Sequence, residues 1–200
     1  KESLESSLYH ALIQRADLDD IIVETGIDNL MMVPSNVELI GFEVEMMNEK
    51  QREEVLKNTI SAVNGRYDYV IIDCPPSLSL LTLNALTAAD SVLIPLQSEF
   101  FALEGLGQLL ATIKRIKGSL NPGLKIKGIL LTMFDKRTNL ARQVVEDAES
   151  YFKGMMFQTK IPRNIRLGEA PSYGMPVITY DAASKGAKSY TALAKELLEK

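Results

Sequence analysis

The run Tyr69-Val70-Ile71-Ile72-Asp73-Cys74-Pro75-Pro76 constrains the fold more than any other stretch of this 200-residue chain. Its apolar residues are β-branched or aromatic and show no alternation, which predicts a strand buried on both faces. The run stops at a carboxylate, and the two prolines that follow cannot donate to a strand ladder. A strand covered on both faces needs helices above and below its sheet, so the segment predicts α/β architecture.

The remaining pattern agrees. A short amphipathic helix opens the chain through Leu4, Leu8, Ala11 and Leu12. Residues 17–24 suit a helix start or a short strand equally, and both readings stay open. Asn29 to Pro34 predicts a buried strand, followed by helices near Val37 to Met47 and Glu49 to Val63, with Gly65 closing the second. Helices are expected over Leu80 to Ala89, Leu103 to Ile116, Asn139 to Phe152 and Gly186 to Leu198. Strands are expected over Ser91 to Leu96, Lys125 to Phe134 and Met156 to Ile161, with a short extended piece at Val177 to Tyr180. This alternation requires crossover connections and therefore a mostly parallel sheet with helices on both faces. Residues 1–200 read as one domain, with no linker or internal repeat.

Composition removes several alternatives. Hydrophobic residues at 46% and charged residues at 24% are those of a globular chain, which argues against disorder and collagen-like repeats. The longest uncharged stretch, Cys74 to Ala89, carries prolines and is too short to span a bilayer. One cysteine cannot form an internal disulfide, which fits a cytoplasmic chain. The net charge of −4 conceals polarity: residues 1–112 hold 6 basic and 18 acidic side chains, whereas residues 113–166 hold 12 and 4. The second segment is a candidate polyanion-binding surface, and mutual pairing or solvation of the charges is the plainer alternative.

Asp73 is the leading chemical candidate. A carboxylate at the carboxyl end of a parallel strand can order a hydrated Mg²⁺, the role of a Walker B aspartate, or it can simply cap the next turn. Its usual companion, Gly-x-x-x-x-Gly-Lys-Ser/Thr, does not occur in residues 1–200, where no glycine precedes a lysine. Gly105 and Gly107 fall inside a predicted helix and read as a packing feature. Cys74 reads as a small buried hydrophobe, because nothing near it lowers a thiol pKa. His10, the sole histidine, has no ligand-like neighbours in sequence and is expected to have no catalytic or metal role. Glu43, Glu45, Glu53 and Glu54 read as wet helix faces, and Met46-Met47 and Met155-Met156 as core filler.

Four blocks carry a family resemblance: Tyr69 to Leu83, Pro95 to Leu106, Leu130 to Leu140 (Leu-Leu-Thr-Met-Phe-Asp-Lys-Arg-Thr-Asn-Leu), and Ile161 to Ser172 (Ile-Pro-Arg-Asn-Ile-Arg-Leu-Gly-Glu-Ala-Pro-Ser). In this order they resemble the chromosome-partitioning ATPases of the ParA/Soj type, and the resemblance covers almost the whole chain. It implies a P-loop NTPase-like three-layer fold. Relative to that pattern, the first strand, the deviant Walker A loop and the aspartate that follows are absent, so the chain is expected to be N-terminally truncated by roughly fifty residues.

The resemblance further implies ATP and Mg²⁺ as cofactors, with Asp73 ordering the metal through water. Pro162 and Asn164 match the segment that contacts the adenine base, and Asp135 lies at the end of the neighbouring strand. Arg137 and Arg166 match positions that hold DNA, and both fall in the basic segment together with Lys136, Arg142, Lys153, Lys160 and Arg163. Arg163 has an alternative partner in Glu169. The implied partners are non-specific double-stranded DNA, a ParB-type centromere-binding protein and a second copy in a nucleotide-dependent homodimer, in a cytoplasmic, nucleoid-associated setting. The chain as it stands is expected to be inactive without a Walker A loop. With the P-loop strand absent from beside the Walker B strand, it is also expected to be destabilised, repacked or paired with another chain.

Two other readings are weighed against this one. A non-enzymatic DNA- or partner-binding piece would retain DNA without turning over nucleotide. A MinD-like membrane-associated ATPase would need an amphipathic anchor, but Lys185 to Lys200 contains no Phe or Trp.

Overall fold

A computed structural model of the chain describes residues 6–75, 77–99 and 102–199, without the side chains of Leu140 and Ala141. The start of the first helix around Leu4, and Pro76 of the diproline, lie outside the described residues. The fold divides into two compact units, residues 1–90 with 115–124, and residues 91–114 with 125–200.

In the first unit, α1 (Leu8–Leu12) begins at Ser7, whose backbone N–H donates to His10 Nδ1 at 3.2 Å. His10 thus secures a helix start. α2 (Leu18–Ile21) resolves the open 17–24 segment. It places Asp19 and Asp20 in its first turn, where the positive end of the helix dipole favours them. β1 (Val23–Glu24) then pairs antiparallel with β2 (Met31–Met32), and Thr25 Oγ1 donates to the Leu30 carbonyl at 2.7 Å across the connecting turn. The strand expected over residues 29–34 shrinks to two exposed residues of a hairpin, because a lone antiparallel ribbon gives its side chains nothing to bury against.

A 3₁₀ turn, Val37–Ile40, is capped by Asn36, whose Oδ1 accepts from Glu38 N at 3.0 Å. It runs into α3 (Gly41–Glu45) and a second 3₁₀ turn, Met46–Asn48. α4 (Val55–Ile60) continues as a 3₁₀ turn to Val63, and Gly65 at φ +78° ends the helical run as expected. α5 (Leu80–Ala88) completes the unit. Leu12, Phe42, Leu56 and Ala85 form one core cluster, and Ala11, Leu18, Ile21 and Val63 another. Asn84, only 1% exposed, joins them with polar contacts. Its Oδ1 accepts from Leu56 N at 3.0 Å, and its Nδ2 donates to the carbonyls of Arg52 and Leu80 at 2.8 and 3.0 Å.

The strand expected from Tyr69 to Ile72 does not form. Val70 is 55% exposed and Ile71 88% exposed, and among the described residues no strand pairs with this run. β-branched residues favour extended backbone, but a strand exists only through hydrogen bonds to a neighbour, and an apolar run is buried only where layers cover it.

The second unit contains the parallel sheet. β3 (Ser91–Gln97) pairs with β4 (Lys125–Thr132) from Ser91↔Lys125 to Gln97↔Thr132, with a bulge opposite the Val92/Leu93 step. α6 (Ala102–Gly118) is the crossover helix between them. A third parallel segment, shorter than the expected 156–161 strand, lies along β4. Ile129 N donates to Met155 O at 2.7 Å, Phe157 N to Ile129 O at 2.9 Å, and Ile161 N to Leu131 O at 2.8 Å. Gly128, just past the bulge, admits the Phe157 ring: a Cβ there would come within 2.6 Å of it. Gly128 to Leu131 are buried without alternation, as the middle strand of a covered parallel sheet requires.

α7 (Asn139–Tyr151) follows β4, and α8 (Ile165–Glu169), α9 (Val177–Tyr180) and α10 (Lys185–Glu199) close the chain. Leu130, Phe157 and Ile161 form this unit's core with Leu93, Leu167, Leu193 and Leu197. Residues 177–180 are one helical turn instead of an extended piece. Pro176 fixes the entry angle and its carbonyl accepts from the N–H groups of Thr179 and Tyr180. Among the described residues no atom lies within 4 Å of a Cβ added at Gly105 or Gly107, so their expected packing role finds no partner there. Gly186, like Gly128, is a packing glycine: a Cβ would meet Leu167 at 2.7 Å.

Candidate functional site

In a parallel sheet, the loops beyond the carboxyl ends of the strands carry ligand sites. In the second unit these loops enclose a hollow of about 120 Å³ lined by Gln97, Ser98, Glu99, Met133, Asp135, Thr138 and Arg163. Gln97 ends β3, Met133 follows β4, and Arg163 follows the third parallel segment. Met133 adopts φ +49°, uncommon for a side chain of its size, and turns the chain so that Phe134 can pair with Pro162. The 135–138 turn is tied to itself. Thr138 Oγ1 donates to the Asp135 carbonyl at 3.1 Å, and Arg137 N donates to Asp135 Oδ1 at 3.0 Å.

Both Asp135 oxygens are engaged by Arg137. Nε donates at 2.9 Å to Oδ1, and Nη2 donates at 2.7 Å to Oδ2. The hydrogen-bonded guanidinium holds the Asp135 carboxyl well below the usual carboxylate range, and Asp135 raises Arg137 in return. Asp135 is half-buried while Arg137 is 83% exposed, so the pair is a rooted carboxylate presenting a surface cation.

Asn164 caps α8, its Oδ1 accepting from Arg166 N at 3.1 Å. On α8, Arg166 Nη1 donates to Glu169 Oε2 at 2.8 Å, and its Nε lies 3.2 Å from Asp181 Oδ2. The hydrogen bond to Glu169 is the main reason its pKa is raised. Tyr180 donates to the same Glu169 oxygen at 3.3 Å and stacks on Tyr173. Glu169 thus pairs with Arg166, not with Arg163, because the i,i+3 spacing on α8 places the two side chains together.

Asp135, Arg137, Pro162, Asn164 and Arg166 therefore all lie on the loops and short helix beyond the strand ends of one unit. Asp73 belongs to the other unit, exposed in the irregular segment that follows Ile72. Among the described residues no three His, Cys, Asp or Glu side chains gather around a metal-sized point. Cys74 is exposed where burial was expected, since its segment joins no sheet. Its Sγ donates to Ile72 O at 3.7 Å, and partial burial of the sulfur, then the Asp73 carboxylate, push the thiol up, away from nucleophilic activation. Sequence reasoning assigns no role to Gln97, Ser98, Met133 or Thr138. The available signal is closeness to predicted strand ends: Gln97 and Ser98 lie one and two residues past Leu96, Thr138 four past Phe134, and Met133 one before it.

Comparisons with known proteins bear on family and fold. A family model described as an AAA domain matches residues 1–126. The chromosome partitioning protein ParA of Myxococcus xanthus is 50% identical over 200 residues, covering all of this chain and 71% of that protein. The sporulation initiation inhibitor protein Soj of Bacillus subtilis is 51% identical over 197 residues, 98% of this chain and 78% of that protein. The chain belongs to the ParA/Soj family of chromosome-partitioning ATPases. A solved structure from Mycobacterium smegmatis, described as a cobyrinic acid a,c-diamide synthase with a bound ATP analogue and magnesium, superposes with a TM-score of 0.83. Its identity is 35%, over 98% of this chain and 73% of that one. ParA/Soj membership agrees with the α/β fold and its parallel sheet.

Proposed function

We propose that the chain serves as a partition ATPase for chromosomes or plasmids, and that residues 1–200 form part of one such ATPase domain. The carrying observation is 50% identity along the whole chain to a chromosome partitioning ParA. In this reading Pro162 and Asn164 flank the adenine of ATP, with Asp135 at the neighbouring strand end. Asp73 orders Mg²⁺ through water, and the metal when bound neutralises phosphate charge. Arg137 and Arg166 hold duplex DNA by its phosphates, which gives sequence-independent, salt-sensitive binding. Nucleotide-dependent dimerisation and stimulation by a ParB-type centromere-binding protein complete the cycle, in the cytoplasm at the nucleoid. No helix of the described residues is long and apolar enough to cross a membrane.

The test is DNA retention measured with ATP, with ADP and without nucleotide, alongside phosphate release. Nucleotide-dependent retention that fails in R137A and R166A supports the reading, and sequence-specific, salt-insensitive binding overturns it. Salt-sensitive DNA retention without nucleotide binding or turnover would make this chain a non-enzymatic DNA-binding piece.

A further inference from the structure

The helical segment from Val37 to Asn48 is apolar on two faces. Leu39, Phe42 and Met46 turn inward to the core cluster of Leu12, Leu56 and Ala85. Val37, Ile40, Val44 and Met47 point outward and are 81%, 74%, 69% and 60% exposed. Their spacing of three, four and three residues aligns them in one stripe along the successive 3₁₀ and α turns. A helical segment apolar on two faces is ordinarily covered on both, and this one is covered on one.

Carboxylates edge the stripe. Glu38 and Glu45 lie along one flank and Glu43 along the other, Glu49 follows the last 3₁₀ turn, and residues 35–49 include no basic side chain. None of the four is in an ion pair among the described residues. Tyr9 Oη donates to Glu45 Oε1 at 2.6 Å, which fixes one of these carboxylates beside the stripe.

We propose that this face docks a basic amphipathic helix of another protein. Charge decides among the occupants. A second copy meeting the same face would set four carboxylates against four, and like charges across an interface cost several kcal/mol. An anionic lipid surface would be repelled in the same way. An amphipathic helix with apolar anchors at i, i+3, i+7 and i+10, flanked by Lys or Arg, satisfies both the stripe and its edges. Four side chains also bury far less than the ~800 Å² per partner of a stable complex, so the association is weak and reversible. This inference concerns an element apart from the strand-end loops and stands without the partition reading.

The test uses fluorescence anisotropy with an 18-residue Leu/Lys amphipathic peptide, its Leu/Glu twin and a scrambled Leu/Lys peptide. The Leu/Lys helix is expected to bind saturably in the micromolar range, with both controls at least tenfold weaker. Ile40→Ser/Val44→Ser should weaken it at least fivefold, and Glu38→Gln/Glu49→Gln should flatten its salt dependence, with thermal melts unchanged because all four side chains are exposed. Val70→Ser/Ile71→Ser, at another exposed apolar run, should leave binding intact. Equal binding by the scrambled or Leu/Glu peptide, no loss in Ile40→Ser/Val44→Ser, or an equal loss in Val70→Ser/Ile71→Ser overturns the proposal. So does a self-association, seen by sedimentation, that Ile40→Ser/Val44→Ser abolishes and the Leu/Lys peptide does not compete.

Discussion

Asp135 and Arg137 show how one pair of side chains sets what a surface can offer. The carboxylate accepts from the backbone and side chain of the same arginine, so the guanidinium leaves the 135–138 turn in a fixed direction. Removing the Arg137 charge in R137A should lower DNA affinity uniformly across sequences and reduce the slope of log affinity against log salt by about 1, read from retention titrations. R166A should do the same. D135N should leave a milder defect, because the charge stays while its orientation is lost. The depressed Asp135 pKa carries a sign. The folded form holds the carboxylate ionised, so the pair's contribution is complete above the ordinary carboxylate range, near pH 4, and disappears as pH falls below it. The stability difference between the natural chain and D135N, measured by denaturant unfolding, should therefore shrink towards zero on acidification. A difference that grows at low pH would contradict the pairing.

At the scale of elements, two residues fix how neighbours meet. Asn84 bridges α5 to the start of α4 with three hydrogen bonds from a buried amide. Asn84→Ala strands the Leu56 N–H and the Arg52 carbonyl and should cost about 2–3 kcal/mol in chemical denaturation. Asn84→Asp should not rescue it, since a carboxylate cannot donate to the Arg52 and Leu80 carbonyls. Gly128 lets the 155–162 segment close on β4, and Gly128→Ala drives a methyl group into the Phe157 ring. That substitution should cost about 1–3 kcal/mol and expose core amides of Ile129 and Leu131 to hydrogen exchange. The strands and helices of the second unit are legible in the sequence, because β3, β4, α6, α7 and α10 are long and strongly periodic. The short α9 and the 29–34 hairpin are not, because two to four residues carry too little pattern to distinguish a turn from a strand.

Across the whole molecule, the most informative departure is the run from Tyr69 to Ile72. Its composition is that of a central strand, yet Ile71 is 88% exposed. Ile71→Lys should accordingly change the melting stability by no more than about 0.5 kcal/mol, as for other exposed positions, while reducing binding of an apolar dye. A loss of several kcal/mol would show that the side chain is buried in solution. The candidate site is legible to a similar extent. Asp73, Asp135, Arg137, Pro162, Asn164 and Arg166 can be named from motif and resemblance, since each lies at or just beyond the end of an apolar run. The pairing of Arg166 with Asp181 cannot, because Asp181 arrives from a separate turn, whereas Asp135 and Glu169 lie two and three residues from the arginines they engage.

Local pattern alone sets the α/β class, the order of elements and the residues that mark the family, because periodicity, breakers and motifs persist without a neighbour. Burial and strand pairing belong to the folded chain, because each requires a second surface that the chain order does not name. The apolar run at Tyr69 to Ile72 lies open and the outward stripe at Val37 to Met47 remains uncovered for that reason, while Arg137 and Arg166 of the basic segment find carboxylates within their own turn and helix.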